Sequence, residues 1–462
     1  ALSIITHDNT VAATKTLTVN ATSLDNDVLT FNGGNETDGA FVITTDSTGN
    51  HQITLGAGND QYTSTGATAD NNVTGTGGTN SITTGDGADT ITGGTGVDTI
   101  VSGGGNDSIT GGNSADNITV GLGNDTITLT AVAQSSGANI DTVQDFVSAN
   151  DQFAITLDYS GSAGAVVVAA GVTAAQSSKA NVEVTLTGNR GQAVYDTGLS
   201  RLYVNVDANA LITANDYVIG VNAAATAANT FAAGDIDFTI TGSSNADTLT
   251  GSAGVDTIVA SAGGDTIKTG LGADIIASGG ADNIYGQGGA DDINAATGSA
   301  NIYWEATTAA EIATETGSTA GTDVDYSATV GDAISNFATG ADQLFFDDAL
   351  VTNVAGTEID TLLTISKTGT VTNVARFVEI DNASAGDNAE QFGAAVTLLN
   401  ALDTTAVAVG DSVIFSIEND VNTFLYLVQQ VSTANTIAAQ DVTLIGSLSG
   451  AINFADGDFD SF

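Results

Sequence analysis

The chain has 462 residues, and 54 Asp and Glu stand against only 7 Lys and Arg, for a net charge of -47. Phosphate contacts need clustered Lys or Arg side chains, so this balance excludes a nucleic-acid partner. The absence of Cys excludes disulfides, thiolate metal sites and thiol nucleophiles.

Residues 1–54 are rich in Thr, Val and Asn, and short runs alternate between apolar and polar residues. Such alternation is typical of strands with one buried face, and we expect an irregular β lead-in here. His7 and His51 belong to no HExxH motif, and we expect both on the surface or in turns. No segment of the chain is long and apolar enough to predict a transmembrane helix.

A nine-residue repeat dominates residues 55–130. Six consecutive copies, or nonads, run from Gly75 to Thr128, beginning with GTGGTNSIT and ending with VGLGNDTIT. An outlying copy lies at 55–63, and a degenerate one follows at 66–74. The eighth position is always apolar, and self-similarity at a fixed period indicates a repeat architecture.

Residues 131–230 predict a β-rich domain that opens with DTVQDFVSANDQF. In this segment Phe146 lies five residues after Asp141 and five before Asp151. A second repeat block follows at 231–305, from GSSNADTLT at Gly242 onward. Trp304 and Tyr303 are expected to cap its end, with a sugar-binding aromatic platform as the other interpretation.

Residues 306–462 repeat the plan of the first half. The segment DAISNFATGADQLF places Phe337 between Asp332 and Asp342 with the same spacing. A β-rich C-terminal domain follows, and its last residues, FADGDFDSF, are similar to an uncleaved type I secretion signal. The chain therefore reads as a tandem duplication, with the boundary near 223–233. The Asp347–Asp348 pair is expected in a loop or as additional calcium ligands, with general acid–base carboxylates as the alternative.

The spacing within a nonad predicts its geometry. Three residues form a short strand whose central apolar side chain points inward, and the six Gly-rich residues form a turn. Two nonads then complete one coil, with one strand in each of two parallel sheets. Coils are expected to stack at roughly 4.8 Å, the usual distance between strands.

This geometry stacks the sixth-position residues along two edges, with successive members of an edge two nonads apart. Stacked carboxylates without neighbouring Lys or Arg are unfavourable unless a cation lies between them. Calcium suits such a place better than magnesium, because calcium accepts 6–8 oxygen ligands at about 2.3–2.6 Å in flexible geometry. The candidate carboxylates are Asp60, Asp89, Asp98, Asp107, Asp116, Asp125, Asp247, Asp256, Asp265, Asp274, Asp282 and Asp291.

The nonads resemble GGxGxDxUx of the RTX (repeat-in-toxin) calcium-binding proteins. This resemblance implies an all-β fold with two calcium-bound parallel β-rolls, each followed by a β-rich domain. It also implies several Ca²⁺ ions, held by the Asp side chains and by carbonyls of the turn. The turn glycines that match are Gly85, Gly87, Gly94, Gly96, Gly103, Gly105, Gly121, Gly123, Gly254, Gly270 and Gly272.

Departures from the repeat predict the weakest calcium sites. Asn71 and Asn80 stand where Asp is expected, and Ser114 and Asn245 replace the glycine of the fourth position. The unit at 278–285 has only eight residues.

Two functions remain open from the sequence. The first is a secreted structural protein of the bacterial cell surface, a surface-layer or filament subunit that folds and assembles on binding calcium. Its expected partners are further copies of itself and cell-surface polysaccharide. The second is the calcium-folded secretion module of a larger type I exported adhesin or hydrolase. Neither His nor Ser occurs in a catalytic arrangement, so we expect no enzyme in these residues.

Overall fold

The computed structural model describes most of the repeat blocks and part of the segments between and after them. The described residues are 1–8, 10–24, 27–45, 48–64, 68–148, 150–163, 166–176, 189–209, 211–223, 231–295, 298–305, 332–338, 341–346, 362–366, 377–381, 412–418, 422–429, 442–449 and 459–461. Asp347 and Asp348 lie outside them. Two compact units are present, one of residues 1–157 and 169–238 and the other of 158–168 and 239–462.

Among the described residues, 3₁₀ turns occur at Val132–Gln134 and Ala233–Asp235, and the first half of the chain is built of strands. Its strands are β1 (Leu2–Ile5), β2 (Thr16–Ala21), β3 (Leu29–Asn32), β4 (Ala40–Thr45), β5 (Gln52–Thr54), β6 (Gln61–Ser64), β7 (Asn72–Thr74), β8 (Ser81–Thr83), β9 (Thr90–Gly94), β10 (Thr99–Val101), β11 (Ser108–Gly112), β12 (Asn117–Thr119), β13 (Thr126–Leu129), β14 (Thr142–Phe146), β15 (Gln152–Asp158), β16 (Val167–Gln176), β17 (Arg190–Asp196), β18 (Arg201–Val204) and β19 (Tyr217–Ala223).

The second half is likewise built of strands. They are β20 (Ile236–Thr241), β21 (Thr248–Thr250), β22 (Thr257–Val259), β23 (Thr266–Lys268), β24 (Ile275–Ala277), β25 (Asn283–Tyr285), β26 (Asp292–Asn294), β27 (Asn301–Trp304), β28 (Asp332–Ser335), β29 (Gln343–Phe346), β30 (Leu362–Ser366), β31 (Phe377–Asp381), β32 (Ser412–Glu418), β33 (Asn422–Gln429), β34 (Val442–Ser449) and β35 (Phe459–Ser461). Among the described residues, no helix is long and apolar enough to cross a membrane.

Parallel pairing of alternate strands builds the first roll. One sheet runs β1-β3-β5-β7-β9-β11-β13-β15, and the other runs β2-β4-β6-β8-β10-β12-β14. Within the nonads the register advances by two nonads a coil, as between Ile91 and Ile109 or Ile100 and Ile118. The eighth-position side chains are buried between the sheets, which confirms the predicted two-sheet roll.

The strands of residues 2–54, expected as an irregular lead-in, continue both sheets as regular coils. Ile4 pairs with Phe31 and Phe31 with Ile53, and each pair is separated by more chain than two nonads contain. Ile53 pairs in turn with Val73, again across a longer interval than in the nonads. Longer turns separate these strands, which is why the coils carry no visible nine-residue period.

Each roll also extends past its last nonad. Val143 pairs with Ile118 and Phe153 with Ile127, so the segment after the first run adds a further coil. Strand β19 then pairs with β14 in parallel, and β18 and β17 continue this sheet in antiparallel order.

The second roll is built in the same way. One sheet runs β20-β22-β24-β26-β28, and the other β21-β23-β25-β27-β29. The expectation that Trp304 caps the second roll is wrong, because β27 pairs with β25 on one side and with β29 on the other. Trp304 is 1% exposed and stacks on Phe346 at a centroid distance of 4.8 Å.

Candidate metal centre

The sixth-position residues of the nonads form a continuous hydrogen-bonded ladder along each edge of the first roll. In each step the backbone N–H of one residue donates to Oδ1 of the residue one coil later. Asp89 donates to Asp107 at 2.8 Å, and Asp107 donates to Asp125 at 2.9 Å. On the other edge Asp98 donates to Asp116 at 2.8 Å. The predicted pairing of residues two nonads apart is thereby confirmed.

The second roll carries the same two ladders. Asp247 donates to Asp265 at 2.7 Å, and Asp265 donates to Asp282 at 2.9 Å. Along the other edge Asp256, Asp274 and Asp291 are joined by steps of 2.7 and 2.9 Å. The missing residue of the unit at 278–285 shortens two of these steps by one position without breaking the ladder.

Four Asp residues outside the nonads terminate the ladders. Oδ1 of Asp141 accepts the N–H of Asp116 at 2.9 Å, and Oδ1 of Asp151 accepts that of Asp125 at 3.1 Å. In the second roll Oδ1 of Asp332 accepts the N–H of Asp291 at 3.1 Å. These residues were absent from the candidate ligands predicted from the sequence. The spacing of Asp on either side of Phe, present in both halves, is the signal that could have identified them.

The fourth terminating residue stands opposite an alanine. Oδ1 of Asp342 accepts the N–H of Ala300 at 2.8 Å, and Ala300 occupies the sixth position of the last, degenerate unit. Asp342 therefore completes the edge at a coil that offers no carboxylate of its own.

The early steps of the first ladders include residues other than Asp. His51, expected on the surface or in a turn, is fully buried, and its Nδ1 accepts the N–H of Leu29 at 3.1 Å. The N–H of His51 donates to Oδ1 of Asn71 at 3.2 Å. On the opposite edge Asp60 accepts from Phe41 at 2.7 Å and donates to Asn80 at 3.0 Å.

The second carboxylate oxygen of several ladder residues has no partner. In Asp98 and Asp116, for example, the Oδ2 atom is buried and accepts no hydrogen bond. A buried carboxylate oxygen without a donor is strongly unfavourable, so each of these atoms marks a place for a positive charge. The sequence has no Lys or Arg between residues 16 and 178 to provide it. The residues with such an Oδ2 atom are Asp89, Asp98, Asp107, Asp116, Asp125 and Asp265.

Burial raises the pKa of several of these carboxyl groups. Desolvation raises the pKa of Asp116 to about 7, against backbone hydrogen bonding from Asp98 and with the charge of Asp98 adding to the rise. Desolvation also raises the pKa of Asp125 to about 7, and the charges of Asp107, Asp151 and Asp145 contribute. The pKa of Asp98 is raised to about 6, again by burial. A bound cation favours the ionised forms and opposes these shifts.

Turn glycines bring backbone carbonyls close to the ladder. Gly121 has φ +93, and a Cβ there would collide with the carbonyl oxygen of Gly103 one coil earlier. A Cβ on Gly111 would lie 2.6 Å from Oδ2 of Asp116. Among the predicted turn glycines, positive φ occurs at Gly94, Gly103, Gly105, Gly121, Gly123, Gly270 and Gly272.

The remaining predicted glycines lie in the same turns without a left-handed backbone. Gly87 and Gly96 nevertheless have no room for a Cβ, because carbonyl oxygens of Ala69 and Gly78 occupy that space. The carbonyls of Gly85 and Gly254 crowd Gly103 and Gly272 in the neighbouring coils.

The oxygen atoms that these turns offer to a metal ion are therefore pairs of carboxylates together with backbone carbonyls. Among the described residues no three acidic or His side chains converge as a metal-binding group. A site here must draw its other ligands from the backbone, which suits calcium, a hard ion that binds backbone carbonyls beside carboxylates. The ion would supply charge neutralisation and a cross-link between successive coils.

Comparison with known proteins identifies the nonads. The family model of the RTX calcium-binding nonapeptide repeat matches four stretches, at residues 65–100, 92–127, 241–276 and 275–300. These stretches contain the orphaned carboxylates of both rolls. A search of the curated proteins gives no significant match.

Proposed function

We propose that this RTX-repeat protein, whose nonads bind calcium at several sites, is a secreted structural subunit of the bacterial cell surface. In this role calcium completes the folding of the two rolls and allows copies of the chain to associate into a layer or filament. RTX-repeat proteins are generally exported by type I secretion, which agrees with an extracellular location. We assign no catalytic activity to these residues.

The distribution of charge supports association between copies. The chain carries a net charge of -47, yet the outward positions of strands β5, β7, β9, β11 and β13 hold only Thr, Ser, Asn, Gln and Gly. The opposite face, at β6, β8, β10 and β12, is equally free of charge. Charged residues are depleted from the cores of protein interfaces, because like charges repel and desolvation is costly. These uncharged faces are surfaces on which two copies can meet.

Calcium favours the same outcome. The ladder carboxylates are held at the edges of the sheets, and each bound ion neutralises two of their charges. Calcium binding therefore reduces repulsion between copies while it stabilises the coils whose uncharged faces would come together.

A polysaccharide partner has less support from the structure than association between copies. The rings of Tyr285, Tyr303 and Phe345 stack at centroid distances of 4.6 Å along the second roll, and Lys268 Nζ lies 4.3 Å above Tyr285. Both faces of the central ring are covered by its neighbours. Sugar stacking on Tyr303 is therefore blocked, and the aromatic surface offers ring edges instead.

Electron microscopy of the purified chain tests the structural role. We expect ordered sheets or filaments in calcium that dissolve when a chelator is added. Thr92→Glu, on the uncharged face, should abolish assembly while circular dichroism shows an unchanged calcium-dependent fold. Thr79→Glu adds the same charge at an exposed turn position and serves as the control. A calcium-folded monomer that never assembles would instead support the secretion module of a larger exported protein.

A further inference from the structure

The turns along the ladder are of two kinds, and Asn80 defines the first. Its Oδ1 accepts the N–H of Asp60, as the Oδ1 of a sixth-position Asp does. Its Nδ2 donates to the carbonyl oxygens of Gly77 and Gly93, at 3.0 and 3.1 Å. Asn80 is 1% exposed, and its amide group satisfies one carbonyl oxygen of its own turn and one of the next coil.

Asp98 places a carboxylate oxygen where Asn80 places an amide nitrogen. The Cβ position of Gly75 lies 2.9 Å from Nδ2 of Asn80, and the equivalent position of Gly93 lies 2.7 Å from Oδ2 of Asp98. A carbonyl oxygen from the next coil crowds each glycine, that of Gly93 in the first case and that of Gly111 in the second. In the Asp98 turn a carboxylate oxygen and a carbonyl oxygen therefore flank the same glycine position, and the carboxylate oxygen accepts no hydrogen bond. A cation is required there, whereas the amide hydrogens of Asn80 already fill that role.

The other early turns are closed in the same cation-free manner. Nδ2 of Asn71 donates to the carbonyl oxygen of Ala69 at 2.9 Å. Asp60 uses both carboxylate oxygens, since Oδ1 accepts from Phe41 and Oδ2 accepts the N–H of Gly56 at 3.0 Å. The neighbouring carboxylate of Glu36 is likewise engaged by two backbone N–H groups, those of Val11 and Gly39.

We propose that calcium binds the first roll only in the turns from Asp89 to Asp125, and that hydrogen bonds replace the ion in the turns from His51 to Asn80. Strands β3 to β8 consequently fold without calcium. Strands β7 and β8, the last of these, offer ordered edges to which the calcium-dependent strands β9 and β10 hydrogen-bond. The inference rests on the proposed function only in requiring that the nonads bind calcium.

Hydrogen exchange of the full chain tests the division directly. In a calcium chelator, amides of β3 to β8 are expected to keep their protection within about tenfold of the calcium-bound value, whereas those of β9 to β13 lose it. Loss of protection throughout the first roll would overturn the proposal. So would full protection throughout the roll in the chelator.

Variants test the role of the amide group. Asn80→Asp should increase the number of calcium ions bound per chain, measured by equilibrium dialysis, and make exchange in β6 and β8 depend on calcium. Asn59→Asp adds the same charge at an exposed position of the adjacent turn and should leave both quantities unchanged. Asp116→Asn should decrease the number of bound ions and leave the remaining sites in place. This second variant tests the proposal even if Asn80→Asp fails to fold.

The outcomes separate this inference from the proposed function. If the wild-type chain binds calcium but fails to assemble, the structural role fails and the two kinds of turn are unaffected. Unchanged ion counts in both Asn80→Asp and Asp116→Asn would contradict the inference and leave the structural role standing.

Discussion

The backbone N–H of Asp98 and Oδ1 of Asp116 form a 2.8 Å hydrogen bond between residues that are one coil apart. The side chain of Asp116 therefore has two separate tasks. Oδ1 accepts the backbone N–H of the preceding coil, and Oδ2, which is buried and accepts no hydrogen bond, is the atom that would bind a cation.

Two substitutions of Asp116 are expected to separate these tasks. Asp116→Asn keeps the acceptor for Asp98 and removes the buried charge, so it should raise the urea midpoint in a chelator. Asp116→Ala leaves the N–H of Asp98 without an acceptor, at a cost of about 1–3 kcal/mol, and should lower that midpoint. Equal midpoints for the two variants would show that the ladder contributes nothing to stability.

Removal of calcium should unfold the coils that contain orphaned carboxylates. Far-ultraviolet circular dichroism is expected to lose part of its β signal in a chelator and to recover it when calcium is restored. Magnesium should restore less, because it dehydrates reluctantly and demands octahedral geometry. The same β content with and without calcium would contradict the assignment of these turns as metal sites.

The metal-free chain should become more stable as the pH falls from 8 to 5. Burial raises the pKa of Asp98 to about 6 and that of Asp116 to about 7, above their value of 3.8 in an unfolded chain. The folded form then holds more protons than the unfolded form. The stabilisation is complete below about pH 4 and is lost as the pH rises through 6 to 7.

Saturating calcium should reverse this dependence, since protons compete with the ion for the same oxygens. The measurement is a urea midpoint at each pH, with chelator and with calcium. A pH-independent midpoint in the chelator would contradict the burial of uncompensated carboxyl groups.

Gly121→Ala is expected to disrupt the first roll. A Cβ at this residue meets the carbonyl oxygen of Gly103, and its φ of +93 is unfavourable for alanine. The calcium concentration needed for half-maximal folding should rise markedly. Gly161→Ala is the control, since nothing lies within 4 Å of its Cβ position. Similar titration curves for both variants would show that the coils do not stack as closely as described.

Trp304 should report the folding of the second roll, because it is the only Trp in the chain. Its Nε1 donates to Oδ2 of Asp332 at 2.9 Å, while Oδ1 of Asp332 accepts the N–H of Asp291. We expect a blue-shifted emission in calcium and a red shift in a chelator. Asp332→Ala should produce part of that red shift in calcium. An emission maximum that is the same with and without calcium would show that the surroundings of Trp304 do not depend on the metal.

The repeat made much of this architecture predictable. Strand positions, inward residues such as Ile100 and Ile109, and the pairing of Asp residues two nonads apart all follow from a fixed period that also fixes the contacts. The coils before residue 55 could not be recognised, because their turns vary in length and conceal the period. The burial of His51 was missed for the same reason, since it depends on the coil formed by Leu29.

The chemistry of each turn was beyond the sequence pattern. Asp60 and Asp98 occupy the same repeat position, yet Oδ2 accepts an N–H in the first and has no partner in the second. That difference depends on whether a turn N–H points at the carboxylate. No single residue of a nonad determines whether a turn N–H points at the carboxylate.

The ladder gives the roll a chemical direction, because backbone N–H groups point to side chains of the following coil and never the reverse in the steps from Asp89 to Asp151. A roll cut between two coils would expose donors on one fragment and carboxylate acceptors on the other. The two ends of a growing stack are therefore unlike, as the ends of a polar filament are. New coils can add to one end only by bringing side-chain acceptors, and to the other only by bringing backbone N–H donors.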